Sequence, residues 1–302
     1  MQVGNEVCSH PGSVFGAEAC SKPVVIRPVS LPRGAIATGI LAIGLASLWL
    51  PLRAVDPIAM SAGLVAIDAA RTIVLIHGAG GGAFEWQIWQ RVLAAHGWSV
   101  AVPTLEPAPS GLAATRYDDY LAQLRHAIAA IKTRPILIGA SLGGLLAMEL
   151  AADTDAAALV LINPMPPASD ALGMLPEVDT PAIEAWADTA SLESTARAVP
   201  DASPATWHWL WRQWRNESGA VLRDARVGRL VQRPTMPGLI LISGADREVP
   251  AAASRTLAHA WQLEIMDLPT ASHVGPLLGT SAADVALRVH HWLRFRLGTQ
   301  GA

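Results

Sequence analysis

Cysteine is nearly absent: the 302 residues include only Cys8 and Cys20, and both precede the part that reads as a folded domain. A disulfide framework across the body of the chain is thereby excluded, as is a cysteine nucleophile within it. Charge is sparse too, at 16% of residues with a net −3. No cluster of Lys and Arg interleaved with aromatics occurs, so no nucleic-acid partner is expected. Cys/His spacings suited to a metal and internal repeats are both lacking, and neither a metal nor a cofactor is expected. What remains is apolar: 51% of residues are hydrophobic, ample for a core, and the length fits one α/β catalytic domain with a distinct front.

The front carries its own signal. Gly34 to Leu52 is an uncharged apolar stretch, close to the roughly 20 residues that a bilayer core requires. Lys22, Arg27 and Arg33 precede it, and Arg53 and Asp56 follow. That bias predicts a disordered segment 1–33 on the cytoplasmic side, a transmembrane or signal-anchor segment 34–52, and a catalytic domain on the non-cytoplasmic side. Residues 1–33 are long for the n-region of a cleaved signal, and no A-x-A-type site follows Trp49. A start near Met60 is the alternative; it leaves a complete domain, 60–298, in the cytoplasm.

Within that domain, Gly139-Ala140-Ser141-Leu142-Gly143 is a G-x-S-x-G pentapeptide. Before it, Pro135-Ile136-Leu137-Ile138 is an apolar, β-favouring run, and Gly144 to Leu150 reads as a helix. A serine at a sharp strand-to-helix turn is held strained with its hydroxyl exposed. Helix-opening amides beside it favour developing negative charge. Such a nucleophile needs a base, an acid to orient that base, and donors for an oxyanion. Downstream, the strand run Gly238 to Ser243 leads to a loop carrying Asp246. The alternating run Gln262 to Asp267 leads to a loop carrying His273. Ser, Asp, His is the chain order of α/β-hydrolases.

The stretch from about Thr72 to Leu297 resembles the α/β-hydrolase superfamily of the serine-triad type. Its nearer likeness is to the cofactor-independent esterases, the methyl esterase and hydroxynitrile lyase-like group. Ile73 to Trp86, with His77-Gly78-Ala79-Gly80-Gly81-Gly82-Ala83 at its centre, looks like that group's His-Gly segment. The resemblance implies that the backbone N–H groups of Ala79 and Leu142 form the oxyanion hole, and Gly-rich backbone permits the close approach this needs. Hydroxynitrile lyases of the group carry a lysine directly after the catalytic histidine, and Val274 stands there. Cyanohydrin cleavage is accordingly disfavoured. Gly78 to Ala83 also satisfies the dinucleotide fingerprint, with Glu106 placed for a ribose hydroxyl; that reading leaves Ser141, Asp246 and His273 unexplained.

Runs with strand and helix periodicity alternate through the domain: a helix over 85–96 stopped by Gly97, strand 98–103, helix 117–131, strand 157–162 and a last helix over 282–296. The expected fold is an α/β doubly wound, mostly parallel sheet with a helical cap insertion and the N-terminal hydrophobic segment. No clear run marks the two strands that usually open such a sheet, between Arg53 and Arg71. The cap insertion is 164–237, which lacks a buried-strand run. Trp207, Trp211 and Trp214 are spaced to share one helical face there, leaving Trp209 turned away. Either they pack the cap core or they form an apolar roof over Ser141, which would suit an apolar or aromatic substrate.

Other candidates fall away. His77 reads as structural beside the oxyanion turn. His96, His126, His208 and His259 lie in helical stretches, and His290-His291 reads as surface. Asp267 ends a strand facing solvent, and Asn163, at another strand end, is an amide and not the missing carboxylate. The expected activity is hydrolysis of small-molecule carboxylic esters through an acyl-enzyme. Carbon–carbon bond hydrolysis, acyl transfer or cofactor-free perhydrolysis on the same triad is the alternative, and a silent binding protein the outlying one.

Overall fold

A computed structural model of the protein describes residues 71–168 and 179–298. The expectations for residues 1–33 and 34–52, and for two opening strands before Arg71, lie outside the described residues. Among the described residues no helix is long and apolar enough to cross a membrane.

The chain enters on β1 (Thr72–Ile76), passes a glycine-rich loop and a 3₁₀ turn (Ala83–Trp86), and forms α1 (Gln87–Ala95). Gly97, at φ 84°, ends that helix. Then follow β2 (Ser99–Ala101), α2 (Tyr117–Ala129), β3 (Ile136–Ala140), α3 (Leu142–Asp153) and β4 (Ala158–Ile162). The region expected to be a helical cap contains β5 (Ile183–Glu184), α4 (Trp186–Thr189), α5 (Leu192–Ala198), α6 (Pro204–Leu210), β6 (Glu217–Ser218) and α7 (Gly219–Val227). Alternation resumes with β7 (Gly238–Ser243), α8 (Ala251–Trp261), β8 (Glu264–Leu268), α9 (Gly275–Leu278) and α10 (Ala282–Gly298).

Among the described residues six strands form one parallel sheet in the order β2-β1-β3-β4-β7-β8, while β5 and β6 pair antiparallel as a separate short ribbon. Strand side chains alternate between two apolar layers. Val74, Ile76, Leu137, Leu159, Leu161, Ile240 and Ile242 pack with α2, α3 and α8 on one face. On the other, Ile73, Leu75, Ile138, Val160, Ile162 and Leu241 pack with α1 and α10. Helices on both faces explain why these strands read as continuous apolar runs, each buried Leu or Ile contributing roughly 2 kcal/mol.

From β1 the chain steps out to β2 and then crosses back to β3 on the other side. The loops after β1 and β3 therefore diverge and leave a crevice at the carboxyl ends of the sheet. Both glycine-rich segments open onto it.

His290 corrects a surface reading. It is buried, because α10 packs against α1, and it accepts the Trp98 indole N–H at 2.9 Å. Its ring lies 4.4 Å from that of His96.

Candidate active site

Ser141 is the single residue between β3 and α3, at φ 53° and ψ −120°. A non-glycine residue holds that conformation only when its surroundings fix it. Here its N–H donates to the Ile162 carbonyl at 3.0 Å, and its own carbonyl accepts from Gly144 N at 2.9 Å and Met165 N at 3.0 Å. The flanking glycines answer to sterics. A Cβ on Gly139 would lie 2.1 Å from the Gly143 oxygen, and one on Gly143 would lie 2.3 Å from the Ile76 oxygen. The turn closes on the start of α3 and against the end of β1 only because both side chains are absent.

Leu142 opens α3, so its N–H has no acceptor within the helix. Ala79 follows Gly78, on which a Cβ would stand 3.3 Å from the Ser141 Cβ. Among the described residues neither the Ala79 nor the Leu142 N–H donates a hydrogen bond. Gly80, at φ 64°, turns the loop; its N–H donates to Glu217 Oε2 at 3.0 Å and its carbonyl accepts from Arg215 N at 2.9 Å. Glu217 also accepts from the Tyr120 hydroxyl at 2.8 Å and from Ser218 N at 2.7 Å. The insertion thus holds the loop that carries Ala79.

His273 and Asp246 meet across the ends of β8 and β7, with Nδ1 of the histidine 2.8 Å from Oδ2 of the aspartate. A carboxylate only accepts, so Nδ1 carries the proton and Nε2 is left as the basic nitrogen. The other aspartate oxygen accepts from Glu248 N at 2.8 Å and Val249 N at 3.0 Å. With its side chain only 2% exposed, Asp246 is fixed and largely dry.

Two further residues steady the histidine loop. Asn163, buried and at φ 43°, donates from Nδ2 to the His273 carbonyl at 2.6 Å and accepts from Ser243 N at 2.9 Å. Asp201 accepts from Ser272 N at 3.0 Å and from the Ser272 hydroxyl at 2.6 Å. Nothing in sequence spacing marks Asp201. Asn163 was visible at its strand end, but only as a failed carboxylate.

His77 uses both ring nitrogens: Nδ1–H donates to the Gly78 carbonyl at 2.8 Å, and Nε2 accepts from Leu105 N at 2.9 Å. Burial lowers its pKa to about 4, so it stays neutral. Glu85, also missed, is buried within the same crevice and accepts from Gly78 N at 3.4 Å. Burial raises its pKa to about 7, against the opposing pull of the Gly78 amide and His273. Its carboxylate lies 2.2 Å from where a Gly81 Cβ would stand. The carboxyl group thus occupies the space beside the glycine loop that a dinucleotide pyrophosphate would need. Glu106, the proposed ribose ligand, instead pairs with Arg215 at 2.8 Å.

A cavity of about 400 Å³ joins these parts, lined by Gly78, Ala79, Glu85, Ser141 and His273 on one side. Its apolar wall includes Met165, Trp186, Trp214, Leu222, Val274 and Leu277. Of the three tryptophans expected over Ser141, only Trp214 lines it. Helix α6 ends at Leu210 with Trp211 as its C-cap, so no continuous helical face carries Trp207, Trp211 and Trp214 together. Trp207 packs into the core beneath, its indole N–H bonded to the Val199 carbonyl at 2.8 Å. Trp211 lies beneath the Arg212 guanidinium, 5.2 Å from its ring centroid. Trp209 meets Phe84 edge-on, with centroids 6.0 Å apart. Trp186, isolated in sequence, is the unforeseen wall residue. Among the described residues no group of three or more His, Cys, Asp or Glu is arranged to hold a metal ion.

The family model described as "Alpha/beta hydrolase family" matches residues 73–288. A methylesterase from Arabidopsis superposes with a TM-score of 0.58 at 16% identity, over 73% of this chain and 98% of its own. A pyrethroid hydrolase from Sphingobium faniae gives 0.56 at 20% identity, over 74% and 97%. Tomato methylketone synthase I, complexed with 2-tridecanone, gives 0.58 at 15% identity, over 75% and 99%. No curated protein sequence matches the chain. These superpositions show a common fold and, at identities this low, the fold alone.

Proposed function

The chain belongs to the α/β hydrolase family, and on that footing we propose that it is a serine hydrolase of small-molecule carboxylic esters. Ser141 Oγ attacks the ester carbonyl while His273 Nε2 takes its proton. Asp246 holds the Nδ1–H tautomer and stabilises the imidazolium that forms. The N–H groups of Ala79 and Leu142 receive the oxyanion. Collapse expels the alcohol, which takes the proton from His273. Water, deprotonated by His273, then attacks the acyl-enzyme and releases the acid and free Ser141.

The observation that carries this reading is the 2.8 Å Asp246–His273 contact beside a cavity that also receives Ser141. The wall of Met165, Trp186, Trp214 and Leu277 supports an apolar or aromatic acyl or alcohol group. Neighbours named as a methylesterase and a pyrethroid hydrolase support ester chemistry on this scaffold. A panel of p-nitrophenyl esters tests it, with alcohol or peroxide as competing acyl acceptors. Free acid as the dominant product is expected. Dominant transfer to the alcohol or peroxide would assign acyl transfer or perhydrolysis instead.

A further inference from the structure

A cation in the cavity wall is left without a task by the ester mechanism. Arg226, in the last turn of α7, lines the same cavity as Ser141 and His273. The same wall carries the apolar side chains of Leu222, one turn earlier on the same helix, and of Met165 and Val249. Eight other arginines, 116, 125, 134, 197, 215, 229, 255 and 296, each pair with a carboxylate. Arg226 instead donates to a neutral hydroxyl, Thr180 Oγ1, at 3.1 Å. No carboxylate among the described residues lies within ion-pair distance of it. That bond uses one of the five donors that a guanidinium presents.

A cation in the last turn of a helix is favoured by the helix dipole, and the Thr180 bond ties α7 to the segment before β5. Neither accounts for a guanidinium in the wall of an apolar substrate cavity. Resting on the ester-hydrolase reading and deepening it, we propose that Arg226 is the anchor for an anionic group on the substrate. The substrate class is then an ester that carries a carboxylate remote from the scissile carbonyl, such as a monoester of a dicarboxylic acid. A planar fork of donors matches a carboxylate in a two-point contact, and desolvation in a largely apolar cavity strengthens it. The apolar wall takes the chain between the two ends. Glu85 and the exposed Glu248 also line the cavity; burial favours the uncharged form of Glu85, which leaves Arg226 as the cation in the wall for an anion to meet.

The test compares matched esters in two arms. In one the carboxylate is on the acyl chain, mono-p-nitrophenyl adipate against p-nitrophenyl hexanoate. In the other it is on the alcohol, 4-acetoxybenzoate against phenyl acetate. The proposal expects at least a tenfold preference in kcat/KM for the anionic ester in one arm, carried by KM, and that arm identifies the half of the substrate held by Arg226. The preference should fall below threefold in Arg226→Met and be partly kept in Arg226→Lys; because it is a ratio, a general loss of folded protein cancels. No preference in either arm, or an equal preference in Arg226→Met, would overturn it. Labelling of Ser141 by a fluorophosphonate in the same preparations separates the two failures. Labelled enzyme without anion preference defeats only the Arg226 assignment, whereas unlabelled folded enzyme defeats the ester reading beneath it.

Discussion

The Asn163 side chain donates to the His273 carbonyl at 2.6 Å, tying the end of β4 to the loop that presents the candidate base. Its oxygen is occupied by Ser243 N at 2.9 Å, at the end of β7. One buried amide thus links three segments of the site, and an amide suits the post because it both donates and accepts.

Asn163→Asp keeps the acceptor for Ser243 N but removes the donor and places charge against a carbonyl oxygen. Both Asn163→Asp and Asn163→Ala should lower kcat by roughly 10- to 100-fold, as a misplaced base does. Asn163→Ala should also cost about 2–3 kcal/mol of stability for the orphaned buried groups. Steady-state kinetics beside urea unfolding checks this. A loss of stability with kcat intact would make Asn163 structural only.

Glu85 should imprint a pH dependence on stability. Its pKa rises from 4.5 to about 7 on folding because of burial. Between those values the folded protein holds a proton that the unfolded chain has released, so this contribution to stability falls as pH rises through the window. His77, lowered from 6.5 to about 4, works in the opposite sense and masks part of the effect. Glu85→Gln removes the first contribution alone. The stability of the variant relative to the parent should therefore grow by roughly 3 kcal/mol from pH 4.5 to above 7. Urea unfolding at pH 5 and pH 8 measures most of that difference, and a flat difference would contradict the assignment.

The tryptophans should divide by readout. Trp214→Ala and Trp186→Ala are expected to raise KM for aromatic esters severalfold, because both line the cavity. Trp207→Ala should instead cost about 3 kcal/mol of stability, with KM little changed. Equal effects on KM from Trp207 and Trp214 would overturn this division.

Much of the site was legible because its chemistry is tied to local sequence. Ser141 sits in a turn whose two glycines are compelled by close backbone contacts, Gly139 to the start of α3 and Gly143 to the end of β1, so the pentapeptide advertises the geometry. Asp246 and His273 each follow a run apolar enough to read as a strand. The central strands β1, β3, β4 and β7 were readable as apolar runs because burial on both faces removes polar interruptions, and the edge strand β8 by its alternation. What escaped depends on tertiary packing. Asp201 acts across 71 positions on Ser272, and Glu85 looks like an ordinary helix-opening acid until the glycine loop folds over it. The tryptophan face failed because α6 stops at Leu210, one residue before the second of the three. His290 was misread because its partner, Trp98, lies 192 positions away.

The apolar stretch 34–52 yields a separate proposal, of membrane anchoring. Full-length protein should sediment with membranes and resist high-salt and alkaline washing, since insertion does not depend on charge screening. Recovery in the soluble fraction with an N-terminus at or near Met60 would contradict it, without touching the chemistry assigned to Ser141, Asp246 and His273.

The most direct test of the central claim is covalent. Folded protein is incubated with a fluorophosphonate probe, digested, and the modified peptide identified by mass spectrometry. The account predicts one label, on Ser141, that is slowed in His273→Ala and abolished in Ser141→Ala, with ester turnover falling in parallel by on the order of 10⁴-fold or more. Folded protein that hydrolyses esters while Ser141 stays unlabelled, or that loses no activity in Ser141→Ala, would contradict it.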